Sequence, residues 1–107
     1  MAVGKPRAHL VVGPGTDRER RVTVYDRLFV GRECSGVRER NRLVIDGPGI
    51  SRNHLEIRVD AADGSAYVVD TSTNGTRVNG MRIERGLSLP LHSGDRLMIG
   101  AVQLEFR

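Results

Sequence analysis

Short apolar and polar alternations, interrupted every few residues by turn formers, constrain this chain more than any other feature. Leu55-Glu56-Ile57-Arg58-Val59 alternates at every position, Arg21-Val22-Thr23-Val24-Tyr25 alternates too, and Ala66-Tyr67-Val68-Val69 is rich in β-formers. A period of two turns one face of a strand to the core and the other to water. Ala8–Val12, Leu28–Val30, Arg42–Ile45, Thr76–Val78, Met81–Glu84, Arg96–Ile99 and Val102–Phe106 read as further strands. Asp46-Gly47-Pro48-Gly49, Asp63-Gly64, Gly94-Asp95 and Gly100-Ala101 punctuate them, and no window carries a helical stripe. Residues 33–41 (ECSGVRERN) and 86–93 read as loops, Pro90 allowing the latter an edge position at best. Many short strands between closely spaced turns predict an all-β sandwich or barrel.

The chain has 107 residues, enough for one domain with a core of its own. Residues 1–7, with Gly4, Lys5 and Pro6, are expected to form a flexible N-terminal segment, and residues 8–107 the domain. Cys34 is the single cysteine and has no internal disulfide partner. No signal peptide and no stretch of membrane-span length are visible, so a cytoplasmic domain without a membrane partner is expected.

The net charge is +4, and sixteen of the seventeen basic residues are arginine. Residues 1–42 carry ten basic and five acidic groups (+5), residues 43–107 seven and eight (−1). The arginines are scattered over strands and turns, not gathered along one face, so nucleic acid is not the expected partner. A small basic nucleic-acid-binding domain is the alternative that the pI of about 10.2 supports, but two Tyr, two Phe and no Trp offer little for base stacking.

The most unusual stretch is Asp70–Gly80, DTSTNGTRVNG, with two Asn-Gly turn signals five residues apart. Ser72, Thr73, Asn74 and Thr76 crowd the first turn with small donors and acceptors, and Gly75 permits close approach by a ligand or second backbone. A self-capping hairpin and a ligand loop fit this stretch equally well. Two other polar turns weigh toward the ligand: Gly31-Arg32, and Gly49-Ile50-Ser51-Arg52-Asn53-His54. Two guanidinium forks, two hydroxyls and an amide are what a tetrahedral dianion needs. No nucleophile and base pair, carboxylate pair or metal set can be assembled from these turns. Binding without turnover is expected, with no catalytic residue, no metal and no cofactor. His9, His54, His92 and Cys34 are too dispersed for zinc. Cys34, beside Arg32 and so open to a lowered pKa, is read as a spectator thiol.

Gly31-Arg32, then Ser51-Arg52-Asn53-His54, then residues 72–80 (STNGTRVNG) and 94–100 (GDRLMIG), together resemble a forkhead-associated (FHA) domain, from about residue 8 to the end. The resemblance implies an FHA/SMAD-like β-sandwich of two packed, mainly antiparallel sheets with the binding loops at one end. It also implies phosphothreonine-dependent recognition of partner proteins in Ser/Thr kinase signalling, the partner being a phosphothreonine protein or peptide, with a kinase or its substrates as candidates.

Position by position, the resemblance makes Arg32 the arginine that pairs with the phosphate and Ser51 the serine that supports it. Arg52 occupies the next position, a frequent donor, while Thr73 and Asn74 are the polar pair that contacts phosphate and peptide backbone. Asn79 helps to fix loop and peptide geometry, with a purely structural role equally compatible. Gly31, His54 and Gly75 support the loops. Residues flanking the phosphothreonine are expected to be read through Arg38 and Arg40 or through Arg77, since Gly49 offers no side chain.

Overall fold

The alternation of residues 55–59 is realised in a strand buried on one face and wet on the other. In the computed structural model, which describes residues 8–107, Leu55, Ile57 and Val59 are buried while Arg58 faces solvent. On that outer face Glu56 accepts from Arg27 at 2.7 Å and from Arg58 at 2.8 Å. The flexible segment expected over residues 1–7 lies outside the described residues.

Eleven strands form among the described residues: β1 Ala8–Val12, β2 Arg20–Val24, β3 Arg27–Gly31, β4 Arg42–Val44, β5 Leu55–Val59, β6 Ala66–Asp70, β7 Thr76–Val78, β8 Met81–Arg82, β9 Ser88–Leu91, β10 Arg96–Ile99 and β11 Val102–Phe106. They build a six-stranded sheet, β2-β1-β11-β10-β7-β8, and a five-stranded sheet, β4-β3-β5-β6-β9. The expected two-sheet, mainly antiparallel sandwich is thus observed, and β3 with β4 is the one parallel pair among the described residues. Leu10, Leu28, Ile57, Leu97, Ile99 and Leu104 are fully or almost fully buried between the sheets. Each such side chain is worth about 1.5–3 kcal/mol against remaining in water.

Two segments expected as loops carry structure. Residues 39–41 make one turn of 3-10 helix. Ser88–Leu91 is a strand, paired among the described residues only with β6, and Pro90 is tolerated because this strand is the sheet edge. No helix among the described residues is long and apolar enough to cross a membrane.

Register decides which loops meet. β3 ends at Gly31, where Val30 pairs with Leu55, the first residue of β5, and Gly31 pairs with Val44 at the end of β4. Leu55 also pairs with Asp70, the last residue of β6. The segments leaving β3, joining β4 to β5 and leaving β6 therefore emerge at one end. The β10–β11 turn joins them there, because Ile99 pairs with Thr76 at the start of β7.

Candidate functional site

Gly31 sets the geometry of this end. A Cβ on Gly31 would lie 2.3 Å from the Arg52 carbonyl oxygen and 2.9 Å from the His54 nitrogen, so the 51–54 segment can cross only over a glycine. The crossing is sealed by backbone bonds: Arg32 N–H to Ser51 O (2.9 Å), Glu33 N–H to Arg52 O (3.0 Å) and His54 N–H to Val30 O (2.8 Å). Arg32 is thereby placed beside Ser51, and its Nε donates to Ile50 O at 3.3 Å.

His54 is fully buried and holds two loops. The Ser51 N–H donates to its Nδ1 at 3.0 Å, so Nε2 carries the proton and donates to the Gly75 carbonyl at 2.9 Å. Ser51 makes the next link, its Oγ accepting from the Thr73 N–H at 3.0 Å. That bond uses a lone pair only, leaving the hydroxyl proton to donate elsewhere. Asn74 gives Nδ2 to Gly49 O at 3.3 Å, which orients its amide and leaves Oδ1 without a partner among the described residues.

The 71–75 loop owes its shape to Asp70. This buried carboxylate accepts on Oδ1 from the Ser72 N–H (3.1 Å), the Ser72 hydroxyl (2.6 Å) and the Thr76 hydroxyl (2.9 Å). Ser72 Oγ then accepts from the Gly75 N–H at 2.7 Å, and the Thr71 hydroxyl donates to Asn53 O at 2.8 Å. Neither Asp70 nor Thr71 stood out in the sequence as a site residue. An aspartate closing an apolar strand with serine two residues on is the pattern of a side-chain-capped turn, and was the available signal.

The result is an open cleft of about 770 Å³ whose walls include Arg32, Ser51, Arg52, Thr73 and Asn74. The structure brings these five sequence-chosen residues together, with Gly31, His54 and Gly75 behind them. Asn79 is elsewhere, at the other end of β7, with φ of 51° in a two-residue β7–β8 turn. Its Nδ2 donates to Asp95 at 3.1 Å and its Oδ1 accepts from Arg96 N–H at 3.0 Å, so its amide is spent on the fold. Arg40 is remote too, stacked 4.3 Å from the centre of the Tyr25 ring, beyond the start of β3.

The charges at the cleft are unequal. Arg32 has no carboxylate within ion-pair distance among the described residues, whereas Arg52 has Glu33 at 3.6 Å, both side chains well exposed. The Ser35 hydroxyl, then Arg52 and Arg32, hold the Glu33 carboxyl below the ordinary carboxylate value. Burial pushes the Cys34 thiol up, against the opposing charge of Arg42, so the lowering that its nearness to Arg32 suggested does not occur.

Two packed sheets with polar loops joined at one end of them define a binding module whose rigid scaffold presents a site on loops. The family model for the FHA domain matches residues 28–100, and the chain belongs to this family. The E3 ubiquitin-protein ligase CHFR of Xenopus laevis is 30% identical over 92 residues, covering 83% of this chain and 14% of that protein. The chain spans between 7% and 14% of the length of the CHFR relatives it matches. Among solved structures, the MEK1 FHA domain in complex with a HOP1 phosphothreonine peptide has a TM-score of 0.73 at 27% identity, covering 95% of this chain and 96% of that one. The FhaA FHA domain, complexed with the intracellular domain of a second protein, has a TM-score of 0.69 at 30% identity, covering 94% and 99%.

Proposed function

We infer that this chain binds phosphothreonine in partner proteins, reading a mark that a Ser/Thr kinase has installed, and that Arg32, Ser51, Arg52, Thr73 and Asn74 form the site. The observation that carries this reading is a cleft in which, among the described residues, an arginine without a carboxylate partner faces a serine whose hydroxyl proton is unspent. A phosphothreonine brings nearly two negative charges and three acceptor oxygens. Arg32 supplies the charge-assisted bond, Ser51 donates its hydroxyl, and Thr73 Oγ1, unpaired among the described residues, adds a third donor. Asn74 Oδ1 is the acceptor for a peptide N–H. Arg52 contributes after releasing Glu33, which makes it the weaker of the two arginines. The MEK1 relative seen with a phosphothreonine peptide supports the ligand class.

The test is titration with matched phosphothreonine, phosphoserine and unmodified peptides carrying neutral flanks. Phosphothreonine binds best, phosphoserine about fourfold more weakly for want of one methyl, and the unmodified peptide not measurably. Arg32→Ala lowers affinity about 100-fold, the cost of losing a charge-assisted contact to a dianion. Equal binding of all three peptides, or an Arg32→Ala protein that binds as wild type does, overturns the reading.

A further inference from the structure

The β7–β8 hairpin sets like charges against each other. Arg77 pairs with Arg82 across the ladder, and Met98 of β10 flanks Arg77 on its other side. Like charges directly opposite destabilise a strand pair. The protein does not offset them, since among the described residues neither arginine has a carboxylate within 4.0 Å. Arg77 gives one N–H to the Gly80 carbonyl at 3.3 Å, and both side chains are otherwise exposed.

Their position matters more than their charge. A Cβ on Gly75 would lie 2.9 Å from Nε, 3.1 Å from Cζ and 3.2 Å from Nη2 of Arg82, so the guanidinium rests in the space that the glycine leaves open. Gly75 follows Asn74, which borders the main cleft. A smaller depression of about 180 Å³ results, with Arg77, Arg82 and Met98 in its walls, and it shares Gly49 and Asn74 with that cleft. One extended peptide crossing Asn74 can reach both.

We propose that the Arg77–Arg82 depression is a second anion subsite, which takes an acidic group of the same phosphopeptide, a carboxylate or a second phosphate, beyond Asn74. The subsite rests on the phosphothreonine reading and gives it a sequence preference. Neither Arg38 nor Arg40 is in the walls of this depression, and Arg40 is stacked on Tyr25.

The experiment uses a neutral-flanked phosphothreonine peptide and versions with one Glu at each position from about four residues before to about four after, within the reach of an extended strand. The best position is then remade with phosphoserine. At least one position gains about fivefold in affinity over the neutral peptide, more for the second phosphate, and the gain shrinks with added salt. The Arg77→Gln/Arg82→Gln protein binds the neutral peptide as wild type does and loses the gain, while the double Lys protein retains part of it. A gain with phosphate alone identifies the occupant as a second phosphorylated residue, and a gain with Glu identifies a carboxylate.

The subsite is overturned if no position gains, or if the gain survives the double Gln change. It also falls if the double Gln change weakens the neutral peptide by the same factor. Loss of single-stranded oligonucleotide binding in the double Gln protein, with no peptide gain in wild type, would assign the pair to nucleic acid instead. If the neutral peptide does not bind, or binds without Arg32, the phosphothreonine reading fails and the subsite with it; if it binds through Arg32 and Glu adds nothing, only the subsite fails.

Discussion

Strand β6 carries a polar loop at each end, and the two are built from the same chemistry with different results. At its start, residues 60–65 are capped by their own aspartates: Asp60 accepts from the Ala62 N–H at 2.7 Å and Asp63 from the Ser65 N–H at 2.9 Å. At its end, Asp70 caps Ser72 in the same way, at 3.1 Å. The difference lies in the remaining bonds. The 60–65 turn spends its bonds within itself, whereas the 71–75 loop reaches Asn53, Ser51, Gly49 and His54, lying 17 to 25 residues away. A local cap makes a turn; a cap joined to distant loops makes a site.

Charge follows the same division. The depression near the 60–65 turn includes Asp63, Ser65, His92 and Arg107, but Arg107 is taken by Glu105 at 3.0 Å. An anion arriving there meets a carboxylate and a spent guanidinium. At the other end it meets Arg32, whose charge no carboxylate offsets among the described residues.

Denying the long-range loop its crossing point has the largest effect. Gly31→Ala forces a Cβ to within 2.3 Å of the Arg52 carbonyl. Backbone on both sides must shift, at a cost of more than about 3 kcal/mol. Urea denaturation of Gly31→Ala should show that loss, against no comparable loss for Gly64→Ala. Gly64 has positive φ but nothing within 4 Å of its Cβ, so its penalty is conformational alone.

His54→Ala comes next, because it removes both ring bonds and leaves a cavity in a fully buried place. A stability loss of about 2–3 kcal/mol is expected, with phosphopeptide affinity falling as the 51–54 and 71–75 segments separate. Amide exchange should then speed up at Ser51 and Thr73 and remain unchanged at Ser65. Ser51→Ala is smaller. It costs about 1 kcal/mol of stability through the lost Thr73 bond, and phosphopeptide affinity falls about tenfold by isothermal titration.

These contrasts explain what was legible in the chain. The alternation of residues 55–59, the Asn-Gly turns and the order of the polar turns are local properties, and each survives folding unchanged. β9 is not local: Leu89 and Leu91 look like loop residues around Pro90 until β6 supplies a partner on one side only. Nor is the return of the chain after residues 33–41, which lays β4 parallel to β3 and brings residues 46–50 to the same end as Arg32. Asn79 illustrates the opposite limit. Its motif looks like the Asn74-Gly75 turn, yet β7 carries it to the far end, where Asp95 and Arg96 absorb its amide.

A change confined to the self-contained 60–65 turn is the mildest. The Ser65 backbone N–H, with the Ser65 side chain second, holds the Asp63 carboxyl below its ordinary value of 3.8. A folded-state pKa that is depressed gives stability fully present above 3.8 and lost as pH falls through the folded value. Asp63→Asn should therefore flatten the acid limb of the stability curve below pH 3.8 and slightly lower the denaturation midpoint at pH 7. Phosphopeptide affinity at pH 7 should not change, because among the described residues no bond from this turn reaches the cleft. A fall in affinity on Asp63→Asn would mean that the two ends of β6 are coupled through the strand, and the division drawn between them would fail.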